Sequence, residues 1–293
     1  MSFAVTQFDI DEGSPYGIAV ADDGAVWTTL VHTGEVARLA SDGQVRRYPV
    51  GPESCKPSII TRGVDGAMWF SRNGDGHIGR ITADGSTSAF ASDTDSAPFG
   101  LCEGPDDAMW FTEMAANAVG RITAEGDIAR FGVAHSDAYP SFITAGPDGA
   151  LWLTLNGANA IGHVTTDGGI SMHPLPTSGA GPVGIAAADN AIWFVEIGAG
   201  QVATMDVGFA VTEFPLPDRA AKPHAIAAAP SGGCWFSQWA TNSVGRITSA
   251  GEITEYPLPE TASEPHGIAV DGRGAVWVAM ESGSVVRIED GGR

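Results

Sequence analysis

A repeat of 41 or 42 residues runs along the chain and constrains its fold more than any other feature. Each repeat opens with a proline, has a tryptophan 11 or 12 residues later, and contains four short β-like runs separated by turn dipeptides such as Asp65-Gly66. The prolines are Pro15, Pro57, Pro98, Pro140, Pro182, Pro223 and Pro265. The tryptophans are Trp27, Trp69, Trp110, Trp152, Trp193, Trp235 and Trp277. Seven such units predict an all-β fold, a seven-bladed β-propeller with four-stranded blades, in which residues 1–293 form a single domain.

The two ends of the chain predict how the ring closes. The seventh repeat stops after the run VVRIED and lacks a fourth strand. The N-terminal run Phe3–Ile10 matches the fourth strand of other repeats, such as Ile253–Leu258. We therefore expect the N-terminal strand to complete blade 7, because pairing there removes an open sheet edge.

Charge limits the partners of such a domain. The chain has 15 Lys and Arg against 35 Asp and Glu, a formal net charge of −20. Nucleic acid and anionic membrane surfaces are excluded as main partners, since both require a positive protein surface. A bound cation is compatible with this charge.

Several features predict a cytoplasmic protein. The sequence has no apolar run long enough to span a membrane, and MSFAVTQFDIDEG lacks the basic and apolar regions of a secretory signal. The three cysteines are odd in number and lack the spacing of a metal site, so we expect reduced, mostly buried thiols.

The residue after each repeat proline should begin the innermost strand, at one mouth of the central channel. Two of the chain's seven histidines, His224 and His266, occupy this position on neighbouring blades. Blade 7 also adjoins blade 1, so Tyr16 should be contiguous with them. We expect the remaining histidines to be surface or strand residues: His32, His77, His135, His163 and His173.

Antiparallel pairing across the first hairpin of each blade predicts which side chains face the same mouth. Centring the hairpins on their turns places Glu281 opposite His266, and the eighth tryptophan, Trp239, opposite His224. Glu264 precedes His266 by two residues and should project to the same side.

This cluster suggests a base beside a metal. Two carboxylates can hold Mg²⁺ with waters completing the octahedron, and a histidine can accept a proton near neutral pH. The alternative is that these polar residues at the channel mouth are merely solvated or hydrogen-bonded to one another.

Around these residues the sequence resembles the virginiamycin B lyase family. The similarity extends over nearly the whole chain and is most specific in KPHAI (222–226), EPHGIAVDG (264–272) and the later VWVAMES (276–282). It implies a monomeric seven-bladed propeller that uses Mg²⁺ to linearise streptogramin B cyclic depsipeptide antibiotics, and so confers resistance to them. The reaction would be elimination at the threonyl ester by a carbon–oxygen lyase.

The resemblance also implies residue roles. His266 matches the catalytic proton acceptor, and Glu264 and Glu281 match the metal-binding acids. His224, Tyr16 and Trp239 match substrate-binding residues. His266 would remove the α-proton, Mg²⁺ would stabilise the enolate, and the lactone oxygen would leave from the β-carbon.

Two other classes of function stay open at this point. One is a metal-dependent lactonase of the gluconolactonase-like propellers, which would add water instead of eliminating. The other is a non-catalytic propeller that only binds a ligand. Phe99 and Gln238 depart from the family pattern, which has Tyr and Glu there, and could alter substrate fit.

Overall fold

A computed structural model describes residues 3–10, 12–93 and 95–290 of the chain. Within those ranges the chain forms 28 β-strands and one short 3-10 turn, η1 (Glu53–Cys55). The strands form seven antiparallel four-stranded sheets arranged as a ring, so the predicted seven-bladed β-propeller is confirmed. The prediction of a single domain over 1–293 includes residues 1, 2, 11, 94 and 291–293, which lie outside the described residues.

Each blade is formed by strands that are consecutive along the chain, apart from the outer strand of blade 7. Blade 1 has β2 (Pro15–Val20), β3 (Val26–Leu30), β4 (Glu35–Leu39) and β5 (Val45–Pro49), and blade 2 has β6 (Pro57–Arg62), β7 (Met68–Arg72), β8 (His77–Ile81) and β9 (Thr87–Ala91). Blade 3 has β10 (Pro98–Glu103), β11 (Met109–Glu113), β12 (Ala118–Ile122) and β13 (Ile128–Gly132), and blade 4 has β14 (Pro140–Ala145), β15 (Leu151–Leu155), β16 (Ala160–Val164) and β17 (Ile170–Pro174). Blade 5 has β18 (Pro182–Ala188), β19 (Ala191–Glu196), β20 (Gln201–Met205) and β21 (Val211–Pro215), and blade 6 has β22 (Pro223–Ala228), β23 (Cys234–Gln238), β24 (Ser243–Ile247) and β25 (Ile253–Pro257). Blade 7 has β26 (Pro265–Val270), β27 (Val276–Met280), β28 (Ser284–Asp290) and β1 (Phe3–Asp9).

The N-terminal strand closes the ring as predicted. β1 pairs with β28 in an unbroken antiparallel register from Phe3 opposite Asp290 to Asp9 opposite Ser284. The Phe3 ring also meets the Tyr256 ring of blade 6 edge to face, with centroids 4.7 Å apart. The first strand of the chain therefore joins blade 7 to its neighbour as well as completing it.

The repeated tryptophans are packing residues. Trp69 is fully buried in a cluster that includes Leu101 and Phe111 of the next blade. Its indole Nε1 donates to Asp65 Oδ1 at 3.0 Å, and Arg80 Nε donates to the other oxygen of that carboxylate at 2.6 Å. An apolar ring is thus buried between blades while its one polar atom has a partner, which stabilises the blade interface.

The first hairpin of every blade has a register shift directly after the repeat proline. In blade 7, Pro265 lies opposite Met280, but Ile268 lies opposite Val278, so one extra residue is accommodated between them. Such a bulge re-aims the side chain at the start of the inner strand. The same shift occurs in all seven blades.

The residue before each repeat proline has a left-handed backbone conformation. The seven residues and their φ angles are Ser14 (56°), Lys56 (46°), Ala97 (50°), Tyr139 (50°), Gly181 (61°), Lys222 (55°) and Glu264 (61°). The carbonyl of each accepts a hydrogen bond from the residue that follows the second strand, as Glu264 does from Glu281 N at 3.0 Å. This turn and the bulge together form the rim of one channel mouth.

No helix among the described residues is long and apolar enough to cross a membrane.

Candidate active site

Three rings from blades 1, 6 and 7 meet at the channel mouth, as the sequence predicts. Tyr16 stacks on His266 with ring centroids 4.6 Å apart, and His224 meets His266 edge to face at 4.8 Å. The Tyr16 hydroxyl lies 3.4 Å from His224 Nε2. The bulge brings these side chains together, because each begins the inner strand of its own blade.

His266 is in direct contact with one of the predicted acids. Its Nε2 lies 2.5 Å from Glu281 Oε2, in a pair that is mostly buried on the histidine side. Burial lowers the pKa of His266 below its usual value, although the charges of Glu281 and Glu264 oppose this effect. The imidazole is therefore predominantly neutral at pH 7 and able to accept a proton.

The register predicted for this hairpin is wrong, although the predicted proximity is right. Glu281 is hydrogen-bonded across the hairpin to Glu264 rather than opposite His266. Likewise Trp239 N donates to Lys222 O at 3.1 Å and is not opposite His224. The bulge adds one residue to the inner strand without adding one to its partner. Pairing residues by equal distance from the turn therefore gives an inner-strand position that is wrong beyond the bulge.

His224 is held neutral by its surroundings. Burial, followed by the proximity of His266, lowers the pKa of His224 to about 3. Burial also raises the pKa of the Tyr16 hydroxyl above its usual value, and the charge of Glu281 adds to this. Both groups are uncharged hydrogen-bonding groups at working pH.

Glu264 and Trp239 are at the rim, facing solvent. Trp239 is 44% exposed, whereas the seven repeat tryptophans are at most 8% exposed. Glu264 is exposed and forms no ion pair with any described residue. The structure thus brings Tyr16, His224, His266 and Glu281 into one contact cluster and places Glu264 and Trp239 beside it.

Two further residues contribute to the mouth that sequence reasoning did not assign to it. His32, in the turn after β3, is largely exposed, as predicted, but its Nε2 lies 3.5 Å from Glu281 Oε1. The Phe142 ring lies 6.0 Å from that of His224 and 5.2 Å from that of Phe99. The sequence contains a signal for Phe142, because a bulky residue there departs from the repeat. Blades 1, 3, 5 and 7 have glycine at the equivalent position, where an added Cβ would lie within 2.6 Å of a carbonyl oxygen of the next blade.

Of the two departures from the family pattern, only Phe99 contacts the site. Its ring centroid lies 6.3 Å from that of Tyr16. Gln238 is fully buried, with Nε2 donating to Glu255 at 2.7 Å, so its side chain is not available to a ligand at the mouth.

The donor set fits a cation with few protein ligands. No group of three or more His, Cys, Asp or Glu in the described part of the chain is arranged to hold a metal ion. The backbones of Glu264 and Glu281 are nevertheless hydrogen-bonded to each other, so two carboxyl side chains start from neighbouring points of the rim, on a chain of net charge −20. Mg²⁺ commonly binds through one or two carboxylates and keeps several waters, so these residues fit it.

The family model described as the virginiamycin B lyase family matches residues 2–288. The chain belongs to the virginiamycin B lyase family. A curated virginiamycin B lyase from Mycolicibacterium vanbaalenii is 52% identical over 61 residues, a stretch that covers 20% of this chain and 21% of that relative.

Virginiamycin B lyase structures match over nearly the full chain. The selenomethionine-substituted lyase from Staphylococcus aureus has a TM-score of 0.95 and 39% identity, covering 99% of this chain and 100% of that one. A catalytically inactive histidine-to-alanine variant of the same lyase, with quinupristin, has a TM-score of 0.95 and 38% identity over 99% of this chain and 100% of that chain.

Proposed function

We propose that this chain linearises streptogramin B antibiotics by elimination at their threonyl ester bond. The observation that carries the proposal is the pair formed by His266 and Glu281, 2.5 Å apart beside Tyr16 and His224. Support comes from the related lyase, in which replacement of a histidine by alanine leaves a catalytically inactive protein that was studied with quinupristin.

His266 is the proposed base. Its Nε2 is paired with Glu281 Oε2, and its Nδ1 has no hydrogen-bonding partner among the described residues. The His266 imidazole takes the α-proton of the threonyl residue, the C–H electron pair forms the Cα=Cβ double bond, and the Cβ–O bond breaks. The lactone oxygen leaves with its electron pair as part of a carboxylate, so no water is consumed.

The other residues of the cluster bind and orient in this proposal. Glu281 Oε2 stabilises the imidazolium that forms on His266, which lies within hydrogen-bonding distance. His224 and Tyr16, both uncharged, offer hydrogen-bonding groups to the substrate. Trp239 supplies an exposed aromatic surface at the rim for an apolar part of the macrocycle.

Glu264 and Glu281 are the proposed ligands of Mg²⁺. A cation held by these residues would supply positive charge near the negative charge that develops on the substrate carbonyl. Every residue named belongs to blades 6, 7 or 1 of the same chain, so we propose that a monomer is sufficient for activity.

The test is to incubate quinupristin with the purified protein and Mg²⁺ and to follow the substrate by chromatography with mass detection. Conversion to a linear product is expected. Quinupristin that binds but is recovered intact would favour a ligand-binding propeller, and a product heavier by one water would favour a lactonase.

A further inference from the structure

At the bulge, one backbone N–H of the inner strand forms no hydrogen bond to the backbone of the neighbouring strand. A buried hydroxyl on that neighbouring strand accepts a hydrogen bond from it instead. In blade 6 this N–H belongs to Ala225, directly after His224, and Ser237 Oγ accepts it at 3.0 Å. Four other blades use a hydroxyl in the same way: Thr29 accepts from Gly17, Ser71 from Ile59, Thr112 from Gly100 and Thr154 from Phe142.

Some of these hydroxyls also reach across to the following blade. Ser237 Oγ donates to the backbone carbonyl of His266 at 2.7 Å. Thr112 makes the equivalent bond from blade 3 to Ser141 O of blade 4 at 2.5 Å. One buried oxygen therefore joins the bulges of two adjacent blades.

The bulge that contains His266 has this link from blade 6 but no hydroxyl link within its own blade. The position equivalent to Ser237 in blade 7 is Ala279, which has no hydroxyl. The residue after His266 is Gly267, whose backbone is intrinsically more flexible than that of other residues. Glu281 contacts the His266 imidazole, whereas Ser237 binds the backbone that carries it.

We propose that Ser237 is a positioning residue that holds the two mouth histidines in register, through the amide after His224 and the carbonyl of His266. The inference rests on the proposed function, since it assigns His266 to proton transfer. Ser237 is fully buried, so it acts through the backbone and does not touch substrate. Without the hydroxyl, a buried N–H and a buried C=O lose their partner, and the inner strand of blade 7 is free to shift.

The experiment compares Ser237→Ala with Ser237→Thr and with Ser71→Ala. Ser237→Ala should lower kcat about tenfold or more, because a displacement of about 1 Å at a catalytic group can lower the rate about a hundredfold. Ser237→Thr should restore kcat to within a few fold, since threonine occupies this position in blades 1, 3 and 4. Ser71→Ala removes the equivalent buried hydroxyl of blade 2, which accepts from Ile59 N at 3.1 Å; neither residue belongs to the mouth cluster, so kcat should stay near wild type.

A measurement on the protein without substrate tests the positioning role of Ser237 independently of the proposed function. The side-chain NMR signals of His266 and His224 should shift in Ser237→Ala, return in Ser237→Thr, and stay in place in Ser71→Ala. If the wild type opens no streptogramin but these shifts occur, the function is wrong and the positioning role stands. If Ser237→Ala melts at a lower temperature but keeps wild-type kcat and histidine signals at 25 °C, Ser237 is only structural. The same conclusion follows if Ser71→Ala loses as much kcat as Ser237→Ala.

Discussion

Nε2 of His266 lies 2.5 Å from Oε2 of Glu281, whose other carboxylate oxygen lies 3.5 Å from His32 Nε2. The two partners come from different places in blade 7, the start of β26 and the residue after β27. The bulge turns His266 toward the channel, and the rim turn brings Glu281 over it. The imidazole of His266 therefore contacts the Glu281 carboxylate through Nε2 and the Tyr16 ring through its face.

Replacing His266 by alanine should lower kcat at least about a hundredfold, the usual lower range for loss of a general base. His224→Ala should mainly raise KM, with a smaller loss of kcat, because His224 is neutral and hydrogen-bonds through Nε2 with Tyr16. Steady-state kinetics on a streptogramin B would distinguish these effects. A His266→Ala variant within a few fold of wild type, beside an inactive His224→Ala variant, would show that the two roles are reversed.

Removal of divalent cations with EDTA should abolish activity, and added Mg²⁺ should restore it. Independently of activity, Mg²⁺ should raise the melting temperature of the wild type, because a ligand that binds only the folded state stabilises it. The shift should shrink in Glu264→Gln and Glu281→Gln, which keep the size of the side chain but lose its charge. Full activity in metal-free protein would exclude both glutamates as ligands of an essential metal.

Deleting residues 1–10 should lower the free energy of unfolding by several kcal/mol, because it removes a packed strand and exposes the edge of β28. Phe3→Ala is a smaller change to the same strand. It should lower the free energy of unfolding because the packing of Phe3 on Tyr256 is lost. Val5→Ala, at a residue 43% exposed on the same strand, is the matched control and should have little effect. Urea denaturation measures all three, and a deletion variant as stable as wild type would contradict closure by this strand.

Glu196 predicts a pH dependence of stability that is separate from the site. It is fully buried in blade 5, where Gln201 donates to it, and burial raises its pKa to about 7 from a usual value of 4.5. The folded protein therefore keeps a proton that the unfolded chain releases between about pH 4.5 and 7. The contribution of Glu196 to the free energy of unfolding falls as pH rises through that window.

Glu196→Gln should accordingly be more stable than wild type at pH 8 by roughly 1–3 kcal/mol, with the difference vanishing near pH 4.5. Blade 6 already has Gln238 at the equivalent ladder position, so the amide is compatible with the fold. Glu113 in blade 3 is the control, since it accepts from Arg130 at 2.8 Å and its replacement by Gln should destabilise at pH 8. Urea denaturation at the two pH values measures both, and an equal difference at each pH for Glu196→Gln would contradict the raised pKa.

The parts of the fold that could be predicted from sequence are those that every blade repeats. The proline and tryptophan spacing reflects a packing requirement shared by seven equivalent units, so the strands, the blade number and the closing strand followed from it. The same equivalence made His224, His266 and Tyr16 conspicuous, because most other blades place small or apolar residues there.

The geometry of the mouth could not be predicted in the same way. The register depends on a bulge and on left-handed residues before proline, such as Lys222 and Glu264, at positions where side-chain type gives no warning. His32 reaches Glu281 only because ring closure brings the turn of blade 1 beside blade 7. Ser237 belongs to a hydrogen-bonding pattern that becomes visible only once the bulge is known.

The most direct test of elimination at this mouth is the mass of the product formed from quinupristin in heavy-oxygen water, with wild type and His266→Ala compared under the same conditions. We predict a linear product with the same mass as the substrate, no heavy oxygen incorporated, and almost no product from His266→Ala. A product that carries one heavy oxygen and is heavier by one water would show hydrolysis and contradict the account.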